Sequence, residues 1–384
     1  MYIKRMAMTY IKREISSAIL KASDYYQAII LTGPRQSGKT TLAHHLFADY
    51  HFVNLEDIST RNRAVEDINS FLDSLGPKAI IDEVQNYPDI LSSIQARIDQ
   101  DKSLRYILTG SNNFSLLHNS MQSLAGRAAL FTVLPFSFKE LASEMVDIPT
   151  PRLMWRGLYP GTVANHIPPE IFYRNYYSTY IERDIRGLAQ IQHLDNFQRF
   201  IRLCAARVGC ELNLSSLAVE TGVSAPTIGS WISLLKASYI AYALQPYYAN
   251  ISKRLTKTPK IYFYDTGLLC YLLGIETTEQ LENHPLRGAV FENMAVSEIL
   301  KGRLNQAKDP NIYFYRENSG REVDIVQTNP DGLYIFEIKA GKTFQSDFTR
   351  NLKYLSNLLP DVRQSTVIYD GSTEGESLIN IRQL

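Results

Sequence analysis

Eight residues near the start, Gly33-Pro34-Arg35-Gln36-Ser37-Gly38-Lys39-Thr40, constrain this chain more than any other feature, because they have the spacing of a phosphate-binding loop. Gly33 and Gly38 let the backbone pass close enough for its N–H groups to face phosphate oxygens. Lys39 can reach the β- and γ-phosphates, and the Thr40 hydroxyl can ligate Mg²⁺. Thr41 joins them as a nucleotide contact, in a helix expected over Thr40–Phe47 whose positive end faces the same anion. An apolar run, Ala28–Leu31, precedes the loop. Strand, loop and helix in that order separate a working motif from a chance match.

Further short apolar runs, Phe52–Leu55, Ala79–Ile81 and Tyr106–Leu108, alternate with helical segments over the first 140 or so residues. They predict an α/β unit, a parallel sheet with helices on both faces, ending near residue 145 after Pro135. The run Lys78–Glu83 ends in two acids. Asp82 is placed to hold Mg²⁺ through water and Glu83 to polarise an attacking water. A kinase has no need of that second acid, so ATP hydrolysis is the expected reaction. Beyond the fourth run, Ser111 and Asn112 both qualify as the polar contact to the γ-phosphate. Arg127 lies where an arginine finger would reach a neighbouring subunit's nucleotide. That role predicts a homo-oligomer, a hexameric ring included; the competing role is a surface ion pair.

From Glu170 the pattern turns helical, and Tyr173, Tyr177 and Tyr180 recur at helical steps, which favours core packing over base stacking. Leu214–Leu235 predicts a helix-turn-helix with its turn at Gly222-Val223-Ser224 and Ser224 as N-cap. The second helix exposes Thr227, Ser230 and Ser233, while Lys253, Arg254, Lys257 and Lys260 offer phosphate contacts nearby. After Pro285 the signal is a helix (Ala289–Leu300) and strands at Ile312–Tyr315, Glu322–Val326 and Leu333–Ile338. On the last of these Glu337 and Lys339 share a face, and Asp324 on the adjoining strand can converge with them. Two carboxylates and an ammonium so placed can bind Mg²⁺ and direct a water at a phosphodiester.

Together these segments resemble a family of bacterial and archaeal AAA-type P-loop ATPases with a C-terminal domain of uncharacterised function. GPRQSGKTTL, IIDEVQ, LTGSN and SLAGR resemble its loop, acidic-strand, sensor and finger segments. YIERDIR, KTPKIYFYDTGLL, RGAVFENMAVSEIL, and REVDIV followed by FEIKA, are similar to its later motifs. Glu56-Asp57 depart from the paired aspartates frequent there. The resemblance implies an ATPase domain over 1–145, a helical, winged-helix-like middle over 146–283 and a restriction-endonuclease-like tail over 284–384. In that tail Glu292 looks like a further, helical metal ligand beside Asp324 and Glu337, with Lys339 catalytic.

Charge does little to narrow the partner, because 40 basic and 39 acidic side chains nearly cancel and any basic surface is local. Three cysteines are too few for a disulfide framework and fit a reducing, cytoplasmic setting. The opening MYIKRMAMTYIKR has no apolar core for an export signal, and no run is long enough to span a membrane. The expectation is an ATP- and Mg²⁺-dependent oligomer acting on DNA, branched or single-stranded forms included. A nucleotide switch whose tail binds partners without cutting is the alternative, and a nuclease with a regulatory ATPase is a third reading.

Overall fold

The computed structural model describes residues 10–111, 124, 126–145, 147–185, 194–248, 258–317, 319–373, 375 and 377–384, without the side chains of 143 and 182–185. Helix α1 (Ser16–Ser23) leads to strand β1 (Ala28–Thr32), the phosphate loop and helix α2 (Lys39–Leu46). Strands β2 (His51–Asn54), β3 (Lys78–Asp82), β4 (Arg105–Thr109) and β5 (Ala128–Thr132) follow, with helices α3 (Ile68–Ser74) and α4 (Ile90–Gln100) between them. The sheet order is β2-β3-β4-β1-β5, and every neighbouring pair is parallel. β1 is apolar at successive positions because both of its faces are covered. Ile29 and Leu31 pack with Ile19 and Leu42 on one side, Ala28 and Ile30 with Phe71, Ile94 and Ile98 on the other. The four expected strands fall within a residue or so of their observed limits. β5 is an addition: it pairs with β1 at the edge of the sheet, inside the expected limits of the unit but not among the expected strands.

The middle is helical, and its tyrosines are core. Helix α5 (Pro169–Tyr176) runs on as a π-helix, Tyr177–Ile185. Tyr173, Tyr176, Tyr177 and Tyr180 are all buried, with the rings of Tyr159 and Tyr176 5.2 Å apart. Helices α6 (Leu214–Thr221) and α7 (Ala225–Ala237) form the helix-turn-helix, and Ser224 caps α7 by accepting from the Thr227 N–H. Ile228, Trp231 and Leu235 face inward. The outward Ser230 and Ser233 hydroxyls donate back to the carbonyls of Pro226 and Gly229, at 3.1 and 3.0 Å. A hairpin follows, β6 (Ala241–Pro246) antiparallel to β7 (Lys260–Phe263), giving the winged-helix-like arrangement. Lys253, Arg254 and Lys257 lie outside the described residues.

Helix α8 (Thr266–Leu272) leads to the long α9 (Arg287–Asn305) and the tail strands β8 (Ile312–Arg316), β9 (Glu322–Asn329) and β10 (Gly332–Lys339). Helix α10 (Arg350–Leu358), β11 (Val362–Tyr369) and β12 (Leu378–Asn380) complete it. The second sheet runs β12-β11-β10-β9-β8-β6-β7 and so extends beyond the tail. The end of β6 pairs with β8 through Gln245–Tyr313 and Pro246–Phe314, joining the hairpin of the middle to the tail. α9 also anchors the first unit: Glu298 accepts from the Phe138 N–H at 2.7 Å and Lys301 donates to the Phe136 carbonyl at 2.8 Å. Among the described residues no helix is long and apolar enough to cross a membrane.

Candidate functional site

The loop is shaped by backbone that few residues tolerate. Gly33 has φ +140°, and a Cβ there would run into the Val133 carbonyl oxygen; Gly38 has φ +93°. Gln36 holds φ 63° without being glycine, a conformation that costs on the order of 1 kcal/mol and persists where surrounding structure enforces it. Arg13 is such an enforcer. Its buried guanidinium donates to the carbonyls of Ser37 (2.9 Å) and Leu134 (2.6 Å) and pairs with Glu140 at 3.0 Å. Motif reading misses Arg13 because it precedes the loop by a whole strand.

Lys39 Nζ donates to the carbonyls of Gly33 (3.1 Å) and Pro34 (2.8 Å), so the ammonium lies inside the loop. Burial pushes its pKa down to about 8, against the pull of Glu83 and Asp82. Ser37 is fully buried and its hydroxyl has no hydrogen-bond partner, an orphaned donor on the loop's inner side. A buried cation and an orphaned hydroxyl at the N-terminal end of α2 suit a phosphate group. Arg35 pairs outward with Glu56 at 3.2 Å, and Gln36 and Thr41 are exposed.

Across from the loop, Thr40 Oγ1 donates to both carboxylate oxygens of Asp82, at 3.0 and 3.1 Å. Thr109, the last residue of β4, also donates to Asp82. The parallel order explains the meeting: β3 and β4 lie side by side next to β1, so all three strand ends open on the loop. Glu83 follows at φ 56°, in the left-handed region, and is half-buried. Burial raises its pKa from the ordinary glutamate value. The Gln85 amide donates to Glu83 Oε2 and to Ser111 Oγ, the latter at 3.2 Å. Sequence reading named Glu83 and Ser111 but not the amide between them. Asn112, the other sensor candidate, lies outside the described residues. Arg127 donates to Asp99 on α4 at 2.6 Å, with both side chains partly exposed.

In the tail, Glu292 (α9), Asp324 (β9), Glu337 and Lys339 (β10) gather around one region. Lys339 donates to Glu337 Oε1 at 2.7 Å, and Asp324 Oδ2 accepts from the Ile338 N–H at 2.7 Å. Glu292 accepts from the Tyr262 hydroxyl at 2.5 Å. Burial, then the neighbouring Asp324 charge, raises the pKa of both Glu292 and Glu337; Asp324 itself is raised by burial. Glu337 Oε2 is buried without a partner. Lys260 also reaches this cluster. Expected at the surface, it is 2% exposed, bonded to Glu322 and 3.7 Å from Glu292. Among the described residues no group of three or more His, Cys, Asp or Glu is gathered closely enough to hold a metal ion as it stands.

Three families match the chain in succession: the AAA domain over residues 25–142, a domain of unknown function (DUF8612) over 150–279, and another domain of unknown function (DUF4143) over 287–383. Uncharacterized proteins of Mycobacterium tuberculosis and Mycobacterium bovis are each 30% identical over 337 residues, covering 86% of this chain and 74% of the relative. Among solved structures, a Walker-type ATPase of Pyrococcus abyssi has a TM-score of 0.46 at 16% identity, over 70% of this chain and 97% of that one. Domain III of the Thermotoga maritima replication initiation protein DnaA has a TM-score of 0.27 at 14% identity, over 53% of this chain and 88% of that one. From the loop, the acidic strand end, the family matches and the mycobacterial relatives, the chain belongs to the family of AAA-type P-loop ATPases that carry a C-terminal domain of unknown function.

Proposed function

We propose that the chain hydrolyses ATP and that its nucleotide state is passed through the winged hairpin to the tail, with DNA as the effector. The observation that carries the reading is the convergence on Asp82 of the Thr40 and Thr109 hydroxyls, with Glu83 one residue further on. Thr40 and Asp82 would hold Mg²⁺, which when bound offsets phosphate charge and orients the β- and γ-phosphates. Lys39 exchanges its loop carbonyls for phosphate oxygens. Glu83, its basicity raised by burial, takes the proton from a water as that oxygen attacks the terminal phosphorus and ADP departs. Ser111 or Asn112 orients the water, and Arg127 meets the transferring charge from a neighbouring copy in a homo-oligomer.

In the tail, Glu292, Asp324 and Glu337 would hold a divalent cation, with Lys339 directing a water at a phosphodiester. A second reading, a nucleotide switch whose tail binds without cutting, is favoured by one observation: Lys260 already pairs with Glu292 of that carboxylate set and with Glu322 beside it. The α7 serines, bonded back to their own helix, also leave little for base readout. The test is ATP turnover over single-stranded, duplex and branched DNA. Lys39→Met should lose nucleotide binding, and Glu83→Gln should bind ATP but turn over about 10²-fold more slowly. Undiminished turnover by Glu83→Gln would remove its assigned role; no response to any DNA would leave the switch.

A further inference from the structure

The tail's carboxylate set contains a residue that belongs to another part of the chain. Lys260 is on β7, within the stretch matched by the middle family, while Glu292, Glu322, Asp324 and Glu337 lie in or beside the stretch matched by the last one. The Lys260 side chain is 3% exposed, bonded to Glu322, 3.7 Å from Glu292 and 5.2 Å from the Phe314 ring. Tyr262, two residues on and so on the same face of β7, donates to Glu292. On the far side Lys339 serves Glu337 Oε1, while Oε2 of the same carboxylate has no partner. Buried carboxylates require a compensating cation. Here an ammonium provides it, from a hairpin joined to the tail by a short ladder at Gln245 and Pro246 and by hydrogen bonds of the Phe263 backbone with Asn293 and Ser297 of α9.

We propose that Lys260 is a built-in cation standing where a divalent metal ion would otherwise sit, so that ammonium and metal compete for the same carboxylates. The inference rests on reading Glu292, Asp324 and Glu337 as a metal site. A metal and Lys260 answer the same negative charge, so occupancy by one opposes the other.

The test uses the full chain without nucleotide and Mn²⁺ as the probe, read by loss of the free-ion paramagnetic resonance signal and by the thermal unfolding midpoint. Lys260→Met should bind Mn²⁺ at least ~10-fold more tightly than wild type, since the charge competing for these carboxylates is gone. Its lowered midpoint should recover in Mn²⁺, and adding Asp324→Asn should abolish both effects. Lys260→Met with Glu322→Gln removes one charge of each sign, so it keeps the balance if the single variant does not fold, and it should show the same gain. Equal Mn²⁺ affinity in wild type and both variants overturns the role of Lys260 and leaves the metal site standing. Absence of Mn²⁺ binding in every variant overturns the metal reading as well.

Discussion

Tyr239 and Thr32 meet through their hydroxyls, a residue of the turn before the winged hairpin against the last residue of the strand that feeds the phosphate loop. Tyr239 is buried and holds φ 54°, outside the range most side chains accept. The contact ties the first sheet, directly beside Gly33, to the turn that leads into the second. Tyr239→Phe should fold, lose about 1 kcal/mol of stability and raise the KM for ATP roughly fivefold. Thr32→Val should do the same, and the double variant should cost little more than either. Fully additive effects in unfolding and in KM would show that the pair is not coupled.

Gln85 restrains Glu83 by donating to its carboxylate while resting on Ser111. Gln85→Ala frees the base and removes a bond that lowers its proton affinity. Basal kcat should rise several-fold with KM unchanged. Steady-state turnover decides it: an unchanged or lower kcat means that the amide supports catalysis rather than restraining it.

Lys39 carries a pH dependence with a definite sign. Its pKa in the free protein lies at about 8, and a bound triphosphate raises it by pairing with the ammonium. ATP affinity is therefore full below about pH 8 and declines as pH rises above that, because binding must take up a proton. Calorimetry in buffers of differing ionisation enthalpy, at pH 7 and pH 9, should show proton uptake only at the higher pH. Equal uptake at both would mean that another group titrates.

Arg127 and Asp99 separate two roles by symmetry. If Arg127 serves only its ion pair, losing either partner has the same small consequence. If it serves a neighbour's nucleotide, Arg127→Ala should lower kcat by about 10³-fold while Asp99→Ala leaves it intact. Turnover of both variants, with mass in solution measured with and without ATP, gives the answer.

The first sheet was legible because its central strands are continuous apolar runs, and β1 and β3 lead directly into the loop and the acid pair. β5 was not, since Ala128-Ala129-Leu130 is an edge strand with Leu130 half exposed and no local signal distinguishes it from helix. β11 carries polar residues through Arg363-Gln364-Ser365 and becomes a strand by pairing with β10. The meeting of Thr40 with Asp82 was legible from spacing because the loop fixes what must oppose it. Gln85 could not: its role depends on a tight 3₁₀ turn after Glu83 that folds the amide back. Lys260 was misplaced for a related reason. Read with Lys253, Arg254 and Lys257 it looks like one of a solvated basic run. Its strand instead turns it toward acids that lie at least 32 positions later in the sequence.

The ladder between β6 and β8 decides how this chain can be divided. Severing it at residue 284 would leave the tail with β8 as a bare edge and the remainder with β6 open on the side away from β7, each a template for indiscriminate strand addition. The same cut would strip three carboxylates, Glu292, Glu322 and Asp324, of Lys260. A tail liberated by a protease or grafted onto another protein should therefore aggregate unless the hairpin travels with it. The winged hairpin and the tail are, in this sense, a single heritable piece.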